Sequence, residues 1–182
     1  MIKKQRSLKG SLGDATLLSS RGPMDDILDM RFNKAGDSII AASKNNLYFI
    51  KEGSKGGWRN SKGTGWPKND TQPSISITFN GQDTVTGSNN GRLFVWKGNA
   101  YSKSLQHGEK GFIYSLFERP EGKGFLSGSS DGSVVIWDSK YAKANTLKVN
   151  EGGIKSLMPK VRSICEAPDG KIIIGTRASE II

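Results

Sequence analysis

The sequence predicts an all-β chain, a β-propeller with about four blades visible, and three observations predict it. The short triplets Ala41-Ala42-Ser43, Thr86-Gly87-Ser88, Ser127-Gly128-Ser129 and Ile174-Gly175-Thr176 recur with spacings of 45, 41 and 47 between their central residues. That interval fits a blade-sized unit of about 40 to 50 residues. Around each triplet, apolar residues alternate with polar ones at period two and are bounded by Gly, Asn and Asp, the pattern of half-buried antiparallel strands. One of the units also carries a complete set of polar residues at the positions where such a repeat ties its loops to its strands.

The units follow in order. Residues 1–21 form a basic lead, in which Ala15 to Ser19 reads as the outer strand of a preceding blade or as a strand closing the ring. Unit one, residues 22–73, opens with the alternating Ile27, Leu28, Met30 and Phe32, turns at Lys34-Ala35-Gly36-Asp37, and continues with strands over Ser38 to Ala42 and Leu47 to Ile50. Unit two, residues 74–110, places Ile75, Ile77 and Phe79 on one face, and its Asn80-Gly81 pair supplies the positive φ of a tight hairpin. Strands over Thr84 to Gly87, Leu93 to Trp96 and Ser102 to Gln106 complete it. Unit three, residues 111–157, repeats the plan with Ile113 to Phe117, Phe125 to Gly128, Val134 to Trp137 and Thr146 to Val149. Unit four, residues 158–182, supplies Val161 to Ala167, Ile172 to Gly175 and Glu180 to Ile182, an incomplete blade. The expectation is therefore a fragment, one arc of a larger propeller.

Between Ile50 and Ser74 the rhythm breaks into a Gly-rich, basic stretch that contains Trp58 and Trp66. It reads as a surface excursion. Two indoles are costly to leave in water, so at least one is expected to pack on a blade edge or a partner. Lys51, Lys55, Trp58, Arg59, Lys62 and Trp66 are the candidate partner-binding residues, because cations interleaved with aromatics suit an acidic surface.

Composition narrows the chemistry. With 27 Lys and Arg against 17 Asp and Glu, the net charge is +10, a field that speeds encounter with acidic protein, nucleic acid or anionic lipid without choosing among them. A single cysteine, Cys165, rules out an internal disulfide framework and fits a reducing compartment. One His and one Cys cannot build a zinc site, and the cluster Asp25, Asp26 and Asp29 lacks calcium-loop spacing. The excursion has no phosphate-binding Gly-Lys-Ser/Thr motif, so neither a metal nor a cofactor is expected. The basic N-terminus is not followed by an apolar run, and no apolar stretch approaches the roughly 20 residues of a spanning helix.

In unit three, His107, Ser127, Asp131 and Trp137 fall where a WD repeat places its loop histidine, strand serine, turn aspartate and strand tryptophan. The expected network runs from Asp to His to Ser to the indole N–H, a scaffold device worth about 1 kcal/mol per hydrogen bond. A catalytic triad would use the same residue types. The repeat spacing and the lack of a Gly-x-Ser-x-Gly elbow favour the structural role, so no catalytic residue is assigned and the chain is expected not to be an enzyme. Unit two keeps Trp96 and has Asn90 for the aspartate, while unit one has Ile50 at the tryptophan position.

Several stretches resemble the echinoderm microtubule-associated protein-like (EMAP-like) family of WD-repeat proteins, in particular its multi-propeller members. They are Leu47-Tyr48-Phe49-Ile50, Val85-Thr86-Gly87 through Gly91-Arg92-Leu93-Phe94-Val95-Trp96, Phe125-Leu126-Ser127-Gly128 through Trp137-Asp138, and Val161-Arg162-Ser163-Ile164 with Lys171 to Arg177 and Glu180-Ile181-Ile182. The resemblance spans roughly residues 8 to 182. It implies a non-enzymatic propeller that binds or stabilises microtubules through tubulin, in the cytoplasmic cytoskeleton or the axoneme of a cilium or flagellum. The sequence shows no aromatic and proline-rich segment of the kind that accompanies the family's propellers, nor a coiled coil. Two alternatives stand beside this reading: an adaptor propeller for other proteins without tubulin contact, and an RNA-associated propeller, which ranks lower. No membrane partner is expected.

Overall fold

A computed structural model describes residues 6–8, 15–17, 26–52, 58–60, 64–67, 75–150 and 158–182. Strands β1 (Arg6–Leu8) and β2 (Ala15–Leu17) pair with each other as a separate antiparallel hairpin. Ala15–Leu17, part of the segment expected to be an outer strand, takes Arg6–Leu8 as its partner.

The first blade contains β3 (Ile27–Phe32), β4 (Ser38–Ser43) and β5 (Asn46–Glu52), and its outer edge is made by β6 (Trp58–Asn60) and β7 (Thr64–Gly65). Both outer pieces pair with β5, β6 through Ile50 to Glu52 and β7 through Asn46 and Leu47. The stretch expected as a surface excursion thus supplies the blade's fourth strand in two parts. Its glycines hid the strand pattern, because Gly offers no side chain to mark which face is buried.

The second blade is β8 (Ser76–Asn80), β9 (Asp83–Gly87), β10 (Arg92–Lys97) and β11 (Ala100–Gln106), and the third is β12 (Ile113–Glu118), β13 (Phe125–Ser129), β14 (Ser133–Trp137) and β15 (Lys143–Lys148). Each is a four-stranded antiparallel sheet in sequence order. In the last blade β16 (Val161–Glu166) pairs with β17 (Ile172–Thr176), and the expected third strand is reduced to a bridge between Gly175 and Ile181. The innermost strands β3, β8, β12 and β16 stand next to one another in that order, so the blades stack face to face as an arc.

Period-two alternation explains the stacking. Along β10, Phe94 and Trp96 point to the first blade, where they meet Ile40, Ala42, Leu47 and Phe49. Leu93 and Val95 point the other way and join Ile113, Leu116, Phe125, Val135 and Trp137. Leu126 and Val134 of the third blade pack in turn on Val161, Ile164 and Ile174 of the fourth. Each central blade is apolar on both faces, as a sheet buried between two others must be. At the ends of the arc, Met30 and Phe32 on β3 and Ile181 after β17 stay exposed.

Polar latches cross the same interfaces. The N–H of Ile77 donates to Asp29 Oδ2 of the preceding blade at 2.8 Å, and the N–H of Ile164 donates to Ser115 Oγ at 3.0 Å. Asp29 and Ser115 occupy the same register, opposite Ala42 and Gly128. Arg119 forms a two-pronged ion pair with the buried Glu166 at 2.7 and 3.0 Å, joining the third and fourth blades. The guanidinium holds the Glu166 carboxyl below its ordinary range. The Tyr141 hydroxyl donates to Asp83 Oδ2 at 2.5 Å, and burial first and Asp83 second hold this phenol far above its usual pKa.

Candidate functional site

The geometry is densest in the third blade. His107 sits in the loop between β11 and β12, 3% exposed, with Nδ1 at 2.6 Å from Ser127 Oγ and Nε2 at 2.8 Å from Ser133 Oγ. The Trp137 indole N–H donates to Ser127 Oγ at 2.8 Å, and the Ser133 hydroxyl donates to Asp131 Oδ1 at 2.5 Å. Every proton has one consistent place. Ser133 spends its only proton on Asp131, so it accepts from His107 Nε2–H; Nδ1 is then the acceptor for the Ser127 hydroxyl, which itself accepts from Trp137. The imidazole is neutral in this arrangement.

The structure brings all four tetrad residues into one chain of hydrogen bonds and adds a fifth, Ser133. Sequence reasoning had the aspartate holding the histidine directly; the contact instead passes through the Ser133 hydroxyl. Asp131 lies at a turn where its Oδ1 also accepts the Ser133 N–H at 2.9 Å, so its carboxylate is committed to capping that turn. Burial pushes the imidazole pKa down to about 4, with Lys143 adding to the effect and Asp131 opposing it. The Lys143 ammonium donates to the His107 carbonyl at 2.9 Å and fixes the loop from outside.

Chemically, this arrangement stores orientation. Ser127 is fully buried and its oxygen already accepts the indole proton, so it has no face open to a substrate. The second blade shows the same scheme in reduced form, with the Trp96 indole N–H donating to Thr86 Oγ1 at 3.0 Å and Asn90 bonded to Ser88. Among the described residues no three metal-binding side chains come together.

The candidate partner-binding residues are distributed differently. Lys51 on β5 is exposed. Trp58 and Arg59 lie on β6 with their backbones opposite Glu52 and Lys51, whereas Lys55 and Lys62 fall outside the described residues. Trp66 turns inward: its ring stacks on Phe94 at 6.2 Å and meets Trp96 edge-on at 5.7 Å, and its indole N–H donates to the Lys44 carbonyl at 3.2 Å. It covers the core between the first two blades. Trp66→Ala is expected to lower stability by about 2 kcal/mol, somewhat less than a fully buried indole. A thermal melt would register this as a drop of several degrees.

Residues 101–138, which hold this relay, match the model of the WD domain, G-beta repeat. Over most of its length the chain is similar to echinoderm microtubule-associated protein-like 2, as the sequence resemblance implied. It is 27% identical to the mouse protein over 175 residues, covering 93% of this chain and 26% of that protein. The rat and human proteins are each 28% identical, over 149 and 151 residues, covering 79% of this chain and 22% of theirs. The chain thus spans about a quarter of the length of these relatives.

Proposed function

We propose that the chain is part of a non-enzymatic, microtubule-associated propeller that attaches to or stabilises microtubules in the cytoskeleton, with the axoneme of a cilium or flagellum as the narrower placement. The observation that carries this reading is the similarity, over 93% of the chain, to a relative named as microtubule-associated. The net charge of +10 supports it, since a basic platform is drawn to an acidic polymer and then docks by shape. The proposed contact is the outer edge of the first blade, with Lys51, Trp58 and Arg59, together with Lys55 and Lys62 from the same stretch of sequence. Trp66 holds that edge to the second blade.

Co-sedimentation with microtubules across a salt series tests the proposal. Binding that weakens steadily with ionic strength, and that falls when Lys51 and Arg59 are reversed to Glu, is the expected result. Binding indifferent to salt would sink it. The WD repeat itself favours protein partners, so an adaptor without tubulin contact is the second reading. In that case the charge reversals leave its localisation unchanged.

A further inference from the structure

Four of the described ion pairs stand at one end of the arc, and a group of four cations outside any described ion pair stands at the other. At the end formed by the turns after the innermost strands, Lys34 pairs with Glu118, Arg119 with Glu166, Lys123 with Glu121 and Lys171 with Asp169. At the other end of the third and fourth blades stand Lys110, Lys160, Arg162 and Arg177, all exposed, and among the described residues none of them is in an ion pair. The Arg177 N–H donates to the Lys160 carbonyl at 3.0 Å, which brings these two residues side by side.

Aromatic rings lie among these cations. The Arg162 guanidinium sits 4.1 Å from the centre of the Tyr114 ring, and Tyr114 stacks on Phe112 at 5.4 Å with the rings 6° from parallel. Phe112 is 42% exposed, yet its backbone is fixed on both sides: its N–H donates to Ser130 Oγ at 2.9 Å and its carbonyl accepts the Ser130 N–H at 2.9 Å. An exposed phenylalanine held rigidly beside unpaired cations loses little freedom on binding, which is the setting of an interaction anchor. Among the described residues the acids at this end are Glu109, Asp131 and Glu180. Asp131 caps Ser133 and Glu180 accepts the Thr176 hydroxyl, so two of the three are engaged locally.

We propose that Phe112, Tyr114, Lys160, Arg162 and Arg177 form a docking surface for an acidic, extended peptide. Carboxylates of the peptide pair with the guanidinium and ammonium groups, and an apolar side chain lies on Phe112. A single-stranded nucleic acid fits less well, because Tyr114 is already occupied by both Phe112 and Arg162 and only one ring remains open for stacking. This surface lies on other blades than the β5–β6 edge and stands whether or not the partner is a microtubule.

The test is fluorescence anisotropy of a labelled oligoglutamate peptide ending in a leucine, titrated with the 182-residue chain at low and high salt. The matched oligoglutamine peptide and a labelled oligouridine serve as comparisons. Salt-sensitive binding of the glutamate peptide alone is expected, weakened about tenfold by Arg162→Glu and several-fold by Phe112→Ser. Lys140→Glu, at an exposed lysine in the turn after β14, leaves it unchanged. Circular dichroism verifies the folding of each variant, and Arg162→Gln provides a milder version of the first. Equal binding of the glutamine peptide, tighter binding of oligouridine, or indifference to both Arg162 variants would overturn the proposal.

Discussion

Replacing His107 by leucine is expected to lower the unfolding free energy by about 2 to 4 kcal/mol, since it leaves the Ser127 hydroxyl without an acceptor and the Ser133 oxygen without its donor. Glutamine costs less, about 1 to 3 kcal/mol, because an amide can still satisfy one of the two. The same residue gives stability a pH dependence of fixed sign. Unfolded, the imidazole titrates near its ordinary 6.5; folded, it titrates at about 4. Between these values the unfolded chain binds the proton more readily, so the full contribution is present above pH 6.5 and is lost as the pH falls to about 4, then stays level. The loss is on the order of 3 kcal/mol. Urea denaturation at a series of pH values should show this slope in the native sequence and a flatter profile in His107→Leu. Equal slopes in the two would mean that the histidine is not held neutral by the relay.

Gly124→Ala is expected to be at least as damaging, about 3 kcal/mol or more. Gly124 has φ of +97°, and a Cβ built there would lie 2.1 Å from the Trp137 carbonyl oxygen and 2.6 Å from the Asp138 carbonyl carbon. These are backbone atoms of the neighbouring strand end, which cannot swing aside as a side-chain tip can. Gly122, two residues earlier, has φ of +68° and nothing within 4 Å of the same imaginary atom. Its alanine variant carries only the backbone strain, about 1 kcal/mol. Calorimetry on the pair separates steric conflict from conformational preference. Similar melting temperatures for both variants would show that the turn relaxes around the added methyl group.

The blades were legible in the sequence because the middle strands of the second and third units are short, largely apolar runs buried on both faces and set off by Gly-, Asn- and Asp-marked turns, while the outer strands Ala100–Gln106 and Lys143–Lys148 stay exposed. Trp96 and Trp137 could be placed for the same reason, since an indole on the third strand of such a unit needs a hydrogen-bond partner nearby. The fourth strand of the first blade was not legible. Trp58 to Asn60 and Thr64–Gly65 pair through backbone groups, and a ladder of that kind leaves no mark in a run rich in glycine and lysine. The relay was legible in its residue types but not in its wiring. Ser133 stands directly after Gly132 and resembles any turn serine, and only coordinates reveal that its hydroxyl separates Asp131 from His107. A serine two residues beyond the turn aspartate is the signal that could have suggested it. The joints between blades, Tyr141 with Asp83 and Arg119 with Glu166, link residues 58 and 47 positions apart, beyond the reach of local pattern.

The bonds from Ile77 to Asp29 and from Ile164 to Ser115 bear on how the molecule comes apart. Each fastens the innermost strand of one unit to its predecessor through a main-chain amide, so no unit can fray without exposing a donor that its neighbour had satisfied. A stack wired in this way tends to melt as a single cooperative body, where loosely joined repeats would peel off one at a time.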